Sequence, residues 1–348
     1  MAEAEVLTRL ASRFSLPGRL QTITPLGEGL INETWLVTTD QSRAVLQRIN
    51  TSVFPHPQWN MANLRRVVNH LAGKTDLTLH LPSPIPSCAG TDWAESNGQF
   101  WRMLEFIEGM TLKRIDSLER AKALGWSLGR LHRLLADLDP AGFHDTLPGF
   151  HVTRRYLREF DCAIAAWRGR IDSDLGFALD FIAQHRDRAG VLESSRLPLR
   201  VVHGDPKLDN VVFDARDGRP LAWLDLDTLK PGSVLYDIGD CVRSACGQEG
   251  RFDLDRAEAV FAGWFEEAVR FLTASEVGQV TNAVWLLPFE LGLRFLSDYL
   301  AGNRYFRVEH PRQNLQRALD QLFLAQDIDQ QSIRLERMWK AISAAPGR

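Results

Sequence analysis

Apolar positions recur along this chain at two different periods. Val6, Leu7, Leu10 and Phe14 fall at helical spacing and predict a short amphipathic helix. Alternating or compact apolar runs at 21–25, 34–39 and 44–49 predict strands, the first two flanking Gly27-Glu28-Gly29. A helix is expected over 61–71. Leu81-Pro-Ser-Pro-Ile-Pro86 holds too many prolines for a helix or a central strand, so it reads as a loop or sheet edge. A compact apolar strand follows at 100–107 and ends in Glu108-Gly109.

Beyond Gly109 the period becomes helical. Ala121, Leu124, Leu128, Leu131, Leu135 and Leu138 mark one face; Val260, Trp264, Ala268 and Phe271 mark another. A β insertion interrupts this region, with strands at 199–202, 211–213 and 221–224, the last two joined across a turn at Asp217-Gly218. The pattern predicts an α+β, bilobal architecture. A β-rich N-terminal lobe spans 1–106, a mostly helical C-terminal lobe spans 107–348, and a hinge lies near 105–109.

Composition narrows the function classes. A chain of 348 residues is long enough for two lobes. The net charge of −3 shows no basic excess, which argues against a nucleic-acid binder. The most apolar uncharged stretch, 277–289, has 13 residues, short of the ~20 a membrane span needs. Cys88, Cys162, Cys241 and Cys246 include no Cys-x-x-Cys pair, so neither a disulfide scaffold nor zinc is expected, and a reducing cytoplasm fits.

The chemistry concentrates in His203-Gly-Asp205-Pro-Lys207-Leu-Asp-Asn210, followed after the hairpin by Leu224-Asp225-Leu226-Asp227. Phosphoryl transfer needs one carboxylate to orient the attacking hydroxyl and take its proton. It also needs a separate carboxylate and amide oxygen to hold Mg²⁺ against the phosphates. Asp205 is the candidate base, and Lys207 is placed to reach the transferring phosphoryl. Asn210 and Asp225 are the candidate Mg²⁺ ligands. On an extended strand Asp227 would face the same side as Asp225, either as a further ligand or as a structural acceptor. Asp237 and Asp240 read as braces of the loop. Gly27 and Gly29 suit a loop covering phosphates, since glycine allows close backbone approach. In Leu46-Gln47-Arg48 the charge lies on Arg48, but Gln47 shares a face with Val45 and Ile49, so the phosphate contact stays open between Gln47 and Arg48. The helix at 60–71 has no Asp or Glu, so the Lys–Glu pair of protein kinases is missing.

These motifs, with Leu128-Gly-Arg-Leu-His-Arg-Leu-Leu135, resemble the aminoglycoside phosphotransferase/choline kinase family, and within it the N-acetylhexosamine 1-kinases most closely. The finer likeness rests on Gly29-Leu-Ile-Asn-Glu-Thr34, Leu46-Gln-Arg-Ile-Asn50, Asp225-Leu-Asp-Thr-x-x-Pro-Gly232, Tyr236-Asp-Ile-Gly-Asp-x-x-Arg243, the run from Arg294 to Phe306 and His310-Pro-x-x-Asn-Leu315. The resemblance implies a protein-kinase-like fold using ATP and Mg²⁺. It implies adenine held by backbone groups of Glu105, Phe106 and Ile107. Arg294, Tyr305 and Trp339 match sugar-binding positions, with Asp205 also touching the acceptor hydroxyl. The implied activity is phosphorylation of an amino or N-acetylamino hexose, at the anomeric hydroxyl, giving a sugar 1-phosphate. An aminoglycoside, choline, homoserine or thio-sugar kinase of the same fold is the alternative, and a non-catalytic nucleotide-binding regulator is a more distant one. The subgroup's glycine loop carries His where this chain has Leu30, which bears on the preferred sugar.

Overall fold

The structure, a computed structural model, describes residues 3–27, 31–75 and 77–344. Its first third is an antiparallel sheet between two helices. Helix α1 (Glu3–Ala11) precedes β1 (Leu20–Pro25), β2 (Glu33–Thr39) and β3 (Arg43–Ile49); α2 (Pro57–Ala72), β4 (Ala94–Ser96) and β5 (Gln99–Glu105) follow. The strand order is β1-β2-β3-β5-β4.

Strand alternation divides the side chains between two cores. Trp35, Val37, Leu46, Trp101 and Met103 point outward, where Leu7, Leu10 and Phe14 cover them. Ile49, Phe100 and Leu104 point inward and join the main core with Met61, Leu64 and Val67 of α2. Pro57 opens α2, at the one helical turn where a missing N–H is harmless. The proline-rich segment lies along β5: the amide of Ile85 donates to Met103 O at 2.8 Å and that of Glu105 to Ser83 O at 2.9 Å. Strand β5 stops at Glu105, two residues before the end its apolar run suggests, so Phe106 and Ile107 leave the sheet.

The remainder is mainly helical. Helices α3 (Leu118–Leu135), α4 (Thr153–Ala166), α5 (Ser173–His185) and α6 (Val191–Ser194) lead into β6 (Arg200–Val202), β7 (Val211–Phe213), β8 (Pro220–Trp223) and β9 (Lys230–Gly232). Then come α7 (Val234–Cys246), the small hairpin β10 (Gly247–Gln248) and β11 (Arg251–Phe252), α8 (Leu254–Ala268), α9 (Ala274–Val277), α10 (Val280–Leu300), α11 (Gln313–Gln330) and α12 (Ser332–Ala344). Helices α3 and α8 touch backbone to backbone. A Cβ on Gly125 would run into Val260 O, and one on Gly263 into Lys122 O, so both positions need glycine.

Within the insertion β7 pairs with β8, as the hairpin signal predicts. The pairing of β6 with β9, Arg200 opposite Gly232, had no sequence signal: Lys-Pro-Gly does not look like a strand. That ladder closes 203–229 into one loop system, so the His203–Asn210 segment and the Asp225 turn emerge together. Among the described residues no helix is long and apolar enough to cross a membrane.

Candidate active site

The His203–Asn210 loop is held from behind by one carboxylate. Asp237 of α7 accepts from the amides of His203 at 2.8 Å and Gly204 at 2.9 Å, and it bonds His132 Nε2 at 3.0 Å. Burial alone would raise this carboxyl, but the His132 hydrogen bond and the nearby imidazoles hold it below the ordinary range. His203 Nε2 donates to Leu224 O at 2.9 Å, while its Nδ1 accepts from the Asp205 amide at 3.3 Å. Both partners suit a neutral ring, and burial pushes its pKa down. His203 thus ties the loop to the strand end that presents Asp225.

Asp205 is half-buried. Lys207 Nζ donates to its Oδ2 at 2.9 Å. Burial opposes the charge on Asp205, but the Lys207 ammonium beside it keeps the carboxyl low, which favours the anion. Asn210 Nδ2 donates to Asp205 O at 2.8 Å, which leaves the amide oxygen of Asn210 for another partner.

Asp225 and Asp227 diverge, contrary to the same-face expectation. Asp225 has φ of 55°, and 226–228 is a 3₁₀ turn, so the segment is not extended. Asp225 is exposed and its side chain accepts no hydrogen bond among the described residues. The low-dielectric walls around it, with the Asp227 charge behind, push its carboxyl up to about 6. A carboxylate without donors beside a free amide oxygen suits a hard cation. No cluster of three or more Asp, Glu, His or Cys exists among the described residues to hold an ion by protein groups alone. Asn210 and Asp225 therefore fit Mg²⁺ shared with nucleotide phosphates, which is how this ion is usually held.

Asp227 is committed elsewhere. Both its oxygens receive the Arg102 guanidinium, with Nη2 at 3.0 Å from Oδ2, and Asn32 Nδ2 adds a bond at 2.8 Å. Its carbonyl accepts from Asn60 Nδ2 at 2.9 Å and Thr146 Oγ1 at 2.7 Å. Asn63, one turn along α2, donates to Leu229 O at 2.8 Å and bonds the His144 backbone in both directions. A helix without acids thus clamps the second lobe through amides. Arg102 also donates to Gln47 Oε1 at 2.9 Å. An arginine inside the apolar run Phe100-Trp-Arg-Met-Leu104 was the signal that sequence reasoning passed over, since a buried charge demands a partner.

Arg48 needs correction as a cofactor residue. Strand alternation turns it to the outer face, where it pairs with Glu33 and lies 5.9 Å from the Trp101 ring; Gln47 occupies the cleft side. Gly27 has φ of +73° with open space where a Cβ would go, a conformation that favours glycine. Gly29 and Leu30 lie outside the described residues. At the hinge no backbone hydrogen bond among the described residues engages Phe106 or Ile107, so these groups can meet a base, next to Glu105 at the strand end.

Arg294 of α10, matched by resemblance to a sugar-binding position, lies 5.1 Å over the Phe150 ring, 5.3 Å over Tyr156 and 5.5 Å over Phe306. It has no carboxylate partner among the described residues. Glu290, one turn earlier, is taken by His151 and Thr153. Tyr305 is 43% exposed beside Phe306, its amide held by Asp298 at 2.8 Å. Trp339 also needs correction: it is 4% exposed, packs on Phe261 and Phe265, and donates Nε1–H to Val277 O at 2.8 Å. That is a core position, the ordinary fate of a helical tryptophan with a carbonyl in reach.

Fold and loop geometry together define a bilobal, protein-kinase-like phosphotransferase acting on small-molecule hydroxyls. Residues 22–272 match the phosphotransferase enzyme family, and the chain belongs to it. It is accordingly a kinase that uses ATP and Mg²⁺. Among curated relatives, a homoserine kinase from Polaromonas naphthalenivorans (strain CJ2) is 28% identical over 276 residues, 76% of this chain and 78% of that one. Among solved structures, a microcompartment-associated aminopropanol kinase superimposes with a TM-score of 0.70 at 18% identity, covering 97% of this chain and 100% of the other. Choline kinase from Cryptosporidium parvum Iowa II gives 0.62 at 14% identity, covering 98% of each chain. At such identities the two structures speak for the fold alone.

Proposed function

We propose that the acceptor is an amino or N-acetylamino hexose phosphorylated at its anomeric hydroxyl, giving a sugar 1-phosphate. The observation that carries this reading is the unpaired Arg294 guanidinium, framed by three rings and close enough to Asp205 to sense its charge. Sugars are recognised by such donors and by aromatic faces. Acids nearby are already engaged: Glu290 by His151 and Thr153, Asp298 by the amides of 304–306. A cationic acceptor such as choline or an aminoglycoside would meet Arg294 without a compensating carboxylate. The second reading is homoserine, whose carboxylate would pair with Arg294; the homoserine kinase relatives favour it.

In either case Asp205 orients the hydroxyl and accepts its proton, and Lys207 offsets charge on the transferring group. Mg²⁺, held by Asn210 and Asp225, would supply charge neutralisation of the phosphates. Gly27 would cover the phosphates, and Glu105 and Ile107 would flank the adenine contact. Residues 1–106 form the nucleotide lobe and 107–348 the acceptor lobe. The four free cysteines support a cytoplasmic location. A screen of hexoses, N-acetylhexosamines, homoserine and amino alcohols with ATP, read by phosphorus NMR, tests the reading. An anomeric phosphate on an N-acetylhexosamine is expected. Turnover of homoserine alone selects the second reading, and turnover of amines alone overturns both.

A further inference from the structure

One buried titratable residue near the base has no part in the chemistry above. His151 is 8% exposed and has φ of 61°, a left-handed backbone that histidine tolerates better than most side chains. Its Nδ1 lies 2.8 Å from Glu290 Oε1, and its Nε2 lies 2.8 Å from Gly204 O, the carbonyl just before Asp205. A carbonyl can only accept, and so can an ionised carboxylate. The ionised form of Glu290 is favoured independently of the ring, because Thr153 Oγ1 donates to its second oxygen at 2.6 Å and the Arg294 guanidinium adds positive charge. Both ring nitrogens must therefore carry protons. The ring lies 4.0 Å from Phe150 and stacks on Tyr236 at 4.8 Å, an arrangement suited to a cation.

We infer that His151 is a standing imidazolium, locked by Glu290, that positions the catalytic loop by holding the Gly204 carbonyl. It is a positioning residue, and its functional role rests on Asp205 being the base. The charged and titratable groups around it come from several elements. Glu290 and Arg294 lie on α10, Tyr236 and Asp240 on α7, and Tyr156 on α4. Asp205 lies on the loop itself, and Lys230 of β9 reaches Phe150 O at 3.1 Å. Burial disfavours the cation, but Glu290, the Gly204 carbonyl and Asp240 outweigh it and raise the pKa. A raised histidine pKa gives stability that is complete below the unfolded value and is lost as pH rises through the folded one.

Losing one proton has an asymmetric result. Glu290 accepts only, so it keeps the remaining proton on Nδ1. Nε2 then turns a lone pair toward Gly204 O, and the grip on the loop fails. The amide of Glu290→Gln can instead donate to Nδ1, which leaves the proton on Nε2 in a neutral ring. Wild-type kcat should therefore fall above the folded imidazolium pKa, by about tenfold per pH unit, and Glu290→Gln should lose that limb. The test combines histidine ¹⁵N NMR of the full chain with kcat against pH for wild type, Glu290→Gln and His151→Gln. Expected are two protonated ring nitrogens in the wild type at neutral pH and a single one in Glu290→Gln. In His151→Gln kcat should drop by about tenfold or more with the KM for ATP kept, as loop misplacement does. A neutral His151 in the wild type, identical alkaline limbs in wild type and Glu290→Gln, or a His151→Gln that loses melting temperature but not kcat would each overturn the inference. The wild-type NMR result stands even if a variant fails to fold. Asp205→Asn is the control: retained turnover there removes the base assignment while leaving the protonation of His151 to be judged by NMR.

Discussion

The two halves of the cleft handle charge in opposite ways. On the nucleotide side Arg102 and Asp227 neutralise each other across the lobes, at 3% and 2% side-chain exposure, and amides of Asn32, Asn60 and Asn63 complete the joint. On the proposed acceptor side Arg294 faces three rings and forms no ion pair among the described residues. The difference follows from the ligands. A nucleotide brings its own charges and a cation, so the protein must supply mainly a fixed lobe spacing and free backbone at the hinge. A small acceptor offers few groups, so selection depends on a side chain that gains its partner from the ligand. A site group left unpaired by the wrong ligand is the stronger discriminator.

Breaking the paired half should have the larger effect. Arg102→Met leaves the Asp227 carboxylate buried with Asn32 as its one remaining side-chain donor among the described residues. Removing one partner of a buried pair costs roughly 3–5 kcal/mol, largely the penalty of the stranded charge. Thermal unfolding should show a marked fall in Tm, and nucleotide affinity should weaken with it because the lobes lose register. Adding Asp227→Asn should restore part of the Tm, since the amide carries no stranded charge. A double variant no more stable than Arg102→Met would mean the pair is not the joint.

Opening the unpaired half should act on kinetics alone. Arg294→Ala removes no ion pair, so Tm should change little. Losing a charge-assisted hydrogen bond to the acceptor costs about 1.5–3 kcal/mol, or roughly 10- to 100-fold in kcat/KM. The loss should appear in the KM for the acceptor, with that for ATP unchanged. A lower Tm with normal acceptor kinetics would make Arg294 a packing residue.

The same contrast explains what the sequence could disclose. Short-range features were legible: four of the five sheet strands, though not the short β4, the β7–β8 turn and the Asp205–Asn210 spacing all depend on neighbours along the chain. The Arg102–Asp227 pair spans 125 residues and His151–Glu290 spans 139, so no local pattern could join them. Asp227 was read as facing the same side as Asp225 because an extended strand was assumed, and the left-handed turn at Asp225 broke that geometry. Trp339 fitted a pocket by family likeness, but its indole found a carbonyl in the core. Alternation along β3 already contained the placement of Gln47, and the pull of a charged Arg48 obscured it.

That last point gives the smallest effect and the sharpest check on the two faces of the sheet. Arg48 and Glu33 are 32% and 52% exposed, so water screens their pair. Such pairs contribute about 0–1 kcal/mol. Arg48→Ala should leave the KM for ATP and kcat within about twofold, and Tm within a small shift set by that range. Gln47→Leu, one residue away, should do more. It removes the acceptor for Arg102 Nε and the donor to Thr34 Oγ1 on the cleft side, without changing the net charge. The KM for ATP should rise, because Arg102 loses one of the groups that orient it. Measuring both variants under saturating acceptor separates the faces. An Arg48→Ala enzyme with weakened ATP binding beside a normal Gln47→Leu enzyme would return the phosphate contact to Arg48, and would require the strand to present its other face when nucleotide binds.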